Sequence, residues 1–199
     1  MISDKYKCIF VGVPKVASSA IGSIDEFEWV GTPYEYIYPK KSPLYYKFTF
    51  VRNPWSRLVS CYNEKVVSPV KWDSRFGIYK GFLNHYGREG NGIKFSDMTF
   101  ENFVDFVITV PDDKCERHFR PQTSIFSDIP YSFDRIGKIE NIKVDFKQVC
   151  TDIAAENILL PVKNKSKSID YREFYTNSLK EKIHDKYLND IEKFEYTFE

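Results

Sequence analysis

The chain has 199 residues, 42% hydrophobic and 29% charged, enough for one domain with a full core and too few for two of comfortable size. Its net charge of +1 excludes the broad basic footprint of a nucleic-acid binder, so any anion site must be local, built from a few basic groups and backbone amides. No apolar run approaches the roughly 18 residues needed to span a bilayer, and the N-terminal stretch lacks the apolar segment of a signal peptide. The expectation is a single domain over residues 1–199, cytoplasmic and without stable membrane insertion. Cys8, Cys61, Cys115 and Cys150 are scattered and form no CxxC pair, which predicts buried reduced thiols and no metal cluster.

Residues 7–13 read as a short buried strand that stops at Pro14. A loop over 14–18 and a short helix over 19–26 follow. Residues 46–52 alternate and end at Asn53-Pro54, the pattern of a second strand. Pro54 suits a helix start, and Leu58, Val59, Tyr62 and Val66 then share one face. Residues 68–97 carry Gly77, Gly81, Gly87, Gly90 and Gly92 and read as loops suited to an acceptor region. Thr99 is placed to cap a helix whose Phe100, Phe103, Val104 and Val107 follow the i, i+3, i+4, i+7 pattern. A strand over 133–139, a helix over 141–156 with Ile142, Phe146, Val149 and Ile153 inward, and a closing helix with Leu179, Ile183, Tyr187 and Ile191 complete the chain. Strands alternating with helices imply an α/β domain with a mainly parallel sheet. Ligands bind such sheets at the carboxyl ends of the strands, here the turns after Val13 and after Arg52.

Those two turns carry the chemistry. In Val13-Pro14-Lys15-Val16-Ala17-Ser18-Ser19 a strand enters a tight loop that opens a helix. Such a loop points backbone amides at one spot, adds the Lys15 charge, and offers the Ser18 and Ser19 hydroxyls. It is not a Walker A loop, because the lysine comes early and no second glycine is present. An ordinary strand–turn–helix with an exposed lysine is the alternative. In Arg52-Asn53-Pro54-Trp55-Ser56-Arg57-Leu58-Val59-Ser60 the second strand ends on arginine. A nucleotide kinase needs an aspartate near that point to hold Mg²⁺. Arginine there suggests a second anion and no metal, gripped through paired hydrogen bonds. Ser60, two turns on, is expected to reach the same anion. A salt bridge is the alternative for Arg52, and Arg57 reads as structural. Two anion sites at neighbouring strand ends suggest a nucleoside phosphorylated at both ends of its ribose.

At this point the sequence resembles the carbohydrate sulfotransferases of sulfotransferase family 2, the group that includes the HNK-1 and chondroitin enzymes. Their donor is 3'-phosphoadenosine 5'-phosphosulfate (PAPS). In that family a Pro-Lys-x-x-(Ser/Thr/Cys)-(Ser/Thr) loop binds the 5'-phosphosulfate, and an Arg-(Asp/Asn)-Pro-x-x-Arg-Leu-Val-Ser stretch binds the 3'-phosphate. Both stand here. The resemblance continues in His118-Phe119-Arg120-Pro121-Gln122, in Phe133-Asp134-Arg135-Ile136-Gly137-Lys138-Ile139-Glu140, and in the closing Tyr187-Leu188-Asn189-Asp190-Ile191-Glu192-Lys193-Phe194-Glu195-Tyr196. It implies a P-loop-like three-layer α/β fold with a mainly parallel central sheet flanked by helices. It also implies sulfuryl transfer to a hydroxyl acceptor, a carbohydrate first of all, with no metal and no nucleic acid involved. Lys15 and His118 become the catalytic candidates. Pro14, Lys15, Val16, Ala17, Ser18, Ser19, Arg52 and Ser60 become the donor-binding set. The basic loop 163–168 either folds over the nucleotide, which adds Lys165, or is a solvated surface loop.

The sequence departs from the family in two ways. Lys15 and Arg52 are only 37 positions apart, shorter than in many relatives. The histidine-bearing segment that some members place before the second strand is missing, since residues 34–41 contain none. The base is therefore sought among His85, His118 and His184. His118 is preferred for its family-like segment with Arg120 beside it, and Glu64, Asp25 and Glu35 are carboxylate alternatives. A nucleotide kinase and a non-catalytic nucleotide-binding protein are the competing readings. Oligomeric state is not legible.

Overall fold

A computed structural model describes residues 1–28, 44–67, 97–161 and 170–199. In chain order its elements are β1 (Ile2–Ser3), β2 (Cys8–Val11), α1 (Ser18–Ile21), β3 (Tyr46–Val51), α2 (Pro54–Tyr62), α3 (Phe100–Thr109), α4 (Gln122–Ser127), β4 (Arg135–Lys138), α5 (Ile142–Asp152), α6 (Asn177–Lys186) and α7 (Leu188–Phe194). They fall into two compact units, Met1–Arg52 with Ile125–Ile169 and Asn53–Ser124 with Asp170–Glu199.

The first unit is α/β. Its four strands run in the order β1-β2-β3-β4, with β1 antiparallel to β2 and the other pairs parallel. All of β2 and the last four residues of β3 are buried, the near-continuous burial of strands covered on both faces. The exception in type is Thr49, whose buried hydroxyl donates to the Val11 carbonyl at 2.7 Å and so avoids an unpaired polar group. Phe10, Phe48 and Phe50 form the aromatic centre, with Phe10 and Phe48 centroids 5.2 Å apart and Phe48 edge-on to Phe50 at 6.2 Å. Gly137 stands opposite Phe50 in the β3–β4 register. A Cβ at that glycine would lie 2.5 Å from the Phe50 ring. The helix α5 packs on β4 through Phe146, Val149 and Cys150. Its Asp145 carboxylate accepts the Lys138 amide at 2.6 Å. Ile142 and Ile153, expected inward, are only half-buried, and the helix stops at Asp152 because the chain turns into the left-handed region at Ala154.

Among its described residues, the regular elements of the second unit are all helices. Asn53 caps α2 by accepting the Trp55 and Ser56 amides at 3.1 and 3.3 Å, and Pro54 occupies the first turn, where its missing N–H costs nothing. The helix loosens into a π turn over Asn63–Val67. Thr99 and Asn102 cap α3 reciprocally, at 3.2 and 3.1 Å. Phe100, Phe103, Val104 and Val107 are buried as their spacing predicts, beside Trp55, Leu58, Val59 and Tyr62 of α2. The single closing helix expected from the sequence is two, α6 and α7, although Leu179, Ile183, Tyr187 and Ile191 all face the core. The break falls at Tyr187, whose backbone leaves helical geometry (φ −113°, ψ 23°) while its phenol donates to the Phe119 carbonyl.

All four cysteines are buried free thiols, as their spacing predicts. Burial pushes the Cys8 thiol up to about 12 and the Cys115 thiol up to about 11. No described helix is long and apolar enough to cross a membrane.

Gly137→Ala should force the Phe50 ring out of place and destabilise the fold by about 1–3 kcal/mol. Urea titration reads this as a lower midpoint, and an unchanged midpoint would show that the sheet accommodates the methyl group.

Candidate functional site

Because β2 and β3 are parallel neighbours, both point their carboxyl ends at the same edge of the first unit. The loop after β2 closes on itself there. Ser18 Oγ donates to the Val13 carbonyl at 2.9 Å, and a Cβ at Gly12 would meet Ser18 Oγ at 3.1 Å. Glycine at position 12 thus permits the close approach. Val16 is fully buried and pins the loop to the core. Around it the backbone is left-handed at two non-glycine residues, Lys15 (φ 73°) and Ala17 (φ 61°). Each such residue costs about 1–2 kcal/mol. Left-handed residues alternating with ordinary ones turn successive amides toward one concave spot, an anion-binding geometry.

The helix that follows is shorter than expected: α1 covers four residues, Ser18–Ile21, and not 19–26. Gly22 ends it, and Ser23 Oγ turns back to the Ala20 carbonyl at 2.8 Å. Loop amides and the Lys15 charge, more than a helix dipole, make this spot attractive to an anion. The Ser18 hydroxyl, expected to donate a hydrogen bond to the ligand, donates instead to the Val13 carbonyl.

The end of β3 brings in the second cation. Arg52 Nη1 donates to the Lys15 carbonyl at 3.4 Å. The first unit therefore unites Pro14, Lys15, Val16, Ala17, Ser18, Ser19 and Arg52, the larger part of the donor set predicted from sequence.

Ser60 and His118 belong to the second unit. Ser60 lies half-buried near the end of α2. The residues around His118 are held by side chains from three places. Arg57 in α2, almost fully buried, donates to the Arg120 and Arg117 carbonyls at 2.8 and 2.9 Å, a structural role as expected. Tyr187 donates to the Phe119 carbonyl. Asp190 in α7, fully buried, accepts the Gln122 and Thr123 amides and the Thr123 hydroxyl at 2.7 Å each, with Gln122 Nε2 at 3.3 Å. It caps α4, an element with no clear sequence signal. Arg120, named beside His118, turns its guanidinium to Ser124 instead, at 3.0 Å from both the hydroxyl and the carbonyl.

The partner of His118 is Glu116, which the sequence analysis passed over. His118 Nδ1 lies 2.7 Å from Glu116 Oε1, and the His118 amide donates to Glu116 Oε2 at 2.8 Å. Burial, the largest influence, acts to raise the Glu116 carboxyl. Hydrogen bonds from His118, the charge of His118 and the charge of Lys65 outweigh it and hold the group below its ordinary value.

The other candidates separate. His184 is exposed beside Asp185, Asp25 is exposed, and Glu64 pairs with Lys65 at 2.7 Å. His85, Glu35, Lys165 with its loop, and the glycine-rich segment lie outside the described residues. Among the described residues no group of His, Cys, Asp and Glu is arranged to hold a metal ion.

The profile of the sulfotransferase family matches residues 1–197, and the chain belongs to that family. Among curated proteins it is similar to carbohydrate sulfotransferase 14 of Homo sapiens (25% identical over 173 residues, 75% of this chain and 45% of the relative). It is similar also to carbohydrate sulfotransferase 14 of Danio rerio (22% identical over 177 residues, 78% of this chain and 48% of the relative). The chain spans about half the length of these relatives. No solved structure matches it.

The loop geometry predicts an inverted substitution pattern at position 17. Ala17→Gly relieves roughly 1–2 kcal/mol of backbone strain against about 0.5–1 kcal/mol of added chain entropy, so the melting temperature should rise slightly. Ala17→Val should lower it, because a β-branched residue resists positive φ. Equal melting temperatures for the two variants would contradict the left-handed turn.

Proposed function

We propose that this sulfotransferase-family chain moves a sulfuryl group from PAPS to a hydroxyl, that of a carbohydrate, and releases adenosine 3',5'-bisphosphate. The observation that carries the reading is the hydrogen bond from Arg52 to the Lys15 loop. Two cations and a ring of turned amides then serve one patch, which suits a ligand with anionic groups at both ends of a nucleoside. The names of the relatives support a carbohydrate acceptor, and the family match supports PAPS as donor.

In this reading the amides of Val16, Ala17, Ser18 and Ser19 hold the 5'-phosphosulfate. Arg52, with Ser60, holds the 3'-phosphate through charge-assisted hydrogen bonds. Lys165 joins the donor-binding set. The acceptor oxygen bonds to sulfur as the bond from sulfur to the bridging oxygen breaks, and the electron pair leaves on the bisphosphate. Lys15 and the loop amides stabilise the charge that grows on that bridging oxygen. Because the loop amides are held by the turn, little reorganisation accompanies the step. A sugar hydroxyl is a poor nucleophile at neutral pH, so a base must take its proton as the bond forms. His118 is assigned that role.

Three variants separate the roles, measured with radiolabelled PAPS and a panel of unsulfated oligosaccharides. Lys15→Ala should lower turnover by about 10²–10³-fold, the usual loss for one electrostatic donor; near-normal turnover would remove Lys15 from the chemistry. Arg52→Ala should weaken adenosine 3',5'-bisphosphate binding by roughly 1.5–3 kcal/mol in calorimetry. Wild-type protein should prefer that ligand to ATP, and a preference for ATP with Mg²⁺ would point to a kinase. His118→Ala should reduce turnover and leave bisphosphate affinity intact; the opposite result would place His118 in donor binding.

A further inference from the structure

Glu116 begins a tight turn. Its carbonyl accepts the Phe119 and Arg120 amides at 3.1 and 2.9 Å, and its side chain bends forward onto residue 118. The two carboxylate oxygens do different things. Oε2 accepts the His118 backbone amide and closes the turn, while Oε1 meets the imidazole Nδ1 at 2.7 Å. Both side chains are about a quarter exposed, so the pair is neither sealed in the core nor fully solvated. The turn itself is anchored. Arg57 grips the carbonyls of Arg117 and Arg120, on either side of His118, and Tyr187 grips that of Phe119.

The chemistry of the pair assigns its proton. An ionised carboxylate only accepts hydrogen bonds, so Nδ1 must be the donor. The charge of Lys65, buried in the π turn after α2, helps keep Glu116 ionised. A neutral imidazole protonated on Nδ1 carries its lone pair on Nε2. A carboxylate on Nδ1 also stabilises the positive ring that forms when Nε2 takes a proton. This is the orienting role that a buried carboxylate plays beside a catalytic histidine elsewhere.

We propose that Glu116 is a positioning residue for sulfuryl transfer, fixing the His118 ring in the tautomer whose Nε2 accepts the proton of the acceptor hydroxyl. The proposal rests on the reading of His118 as the base.

The alternative, that Glu116 only closes a turn, is separable because Glu116→Gln preserves that function. The glutamine carbonyl can still accept the His118 amide. Its NH₂ then faces Nδ1 and donates to it, which reverses the ring and puts the proton on Nε2. Two measurements follow. Nitrogen-15 NMR of the three histidine rings, with His118 assigned by its loss in His118→Ala, should find Nδ1 protonated in the neutral wild-type ring. It should find Nε2 protonated in Glu116→Gln, with the melting temperature nearly unchanged. Turnover with PAPS and unsulfated chondroitin should fall about 10²–10⁴-fold in Glu116→Gln, the range for general-base loss. It should fall no further in the double variant with His118→Ala, since the two side chains act as one unit. Bisphosphate affinity should stay the same.

Protonation of Nε2 in the neutral wild-type ring would overturn the proposal, and it is read without any acceptor. Wild-type turnover in Glu116→Gln with slow His118→Ala would overturn the positioning role and leave the base assignment standing. Wild-type turnover in His118→Ala would overturn both, and the ring tautomer would then show that the failure lay in the base assignment and not in the contact between Glu116 and His118.

Discussion

The parallel pairing of β2 with β3 is the constraint on which the candidate site depends. Two parallel neighbours end at the same edge of a sheet, so the residues that follow them are brought together without any further device. Here those residues are the Lys15 loop and Arg52, and the guanidinium reaches the Lys15 carbonyl. The pairing is itself secured from both sides of the strands. Aromatic rings of Phe10, Phe48 and Phe50 pack on one another, and Thr49 ties its hydroxyl to the Val11 carbonyl at the last paired position.

Strain and support are distributed unevenly. The Lys15 loop carries two left-handed non-glycine residues, and it is held by a buried Val16 and by the Ser18 hydroxyl. Strained backbone of this kind persists where the surrounding packing over-determines it, and such places are often functional. In the second unit the residues around His118 are not strained but clamped. Arg57, Tyr187 and Asp190 supply partners to its carbonyls and amides, and the bonds made by Tyr187 and Asp190 to Phe119 and Gln122 are buried. A short irregular segment thereby gains a fixed geometry. The same clamp accounts for two sequence motifs that look unconnected, since residues of the closing Tyr-x-x-Asp stretch bind the residues around His118 directly.

Much of the fold was legible because its signals are local. The continuous apolar run into β2, Pro54 after Asn53, and the Thr99 cap before an i, i+3, i+4, i+7 pattern each specify their element through residues that touch one another. Three features were not legible. The closing helix breaks at Tyr187 although its apolar spacing continues, the backbone leaving helical geometry there while the phenol reaches the Phe119 carbonyl. The helix α4 depends on the Asp190 carboxylate, supplied from 68 positions away. Arg120, two residues after His118, faces Ser124, while Glu116, two residues before it, holds the ring.

By itself the sequence determined the family, the α/β class, the Lys15 loop and the arginine at the end of the second strand, because residue type and short spacing suffice to state them. Only the tertiary structure decided that Arg52 meets the Lys15 loop, that Ser18 turns inward to Val13, and which group sits on the imidazole of His118. Those are questions of direction, and a side chain's direction is settled by the backbone turns and packed neighbours around it, which linear order does not specify.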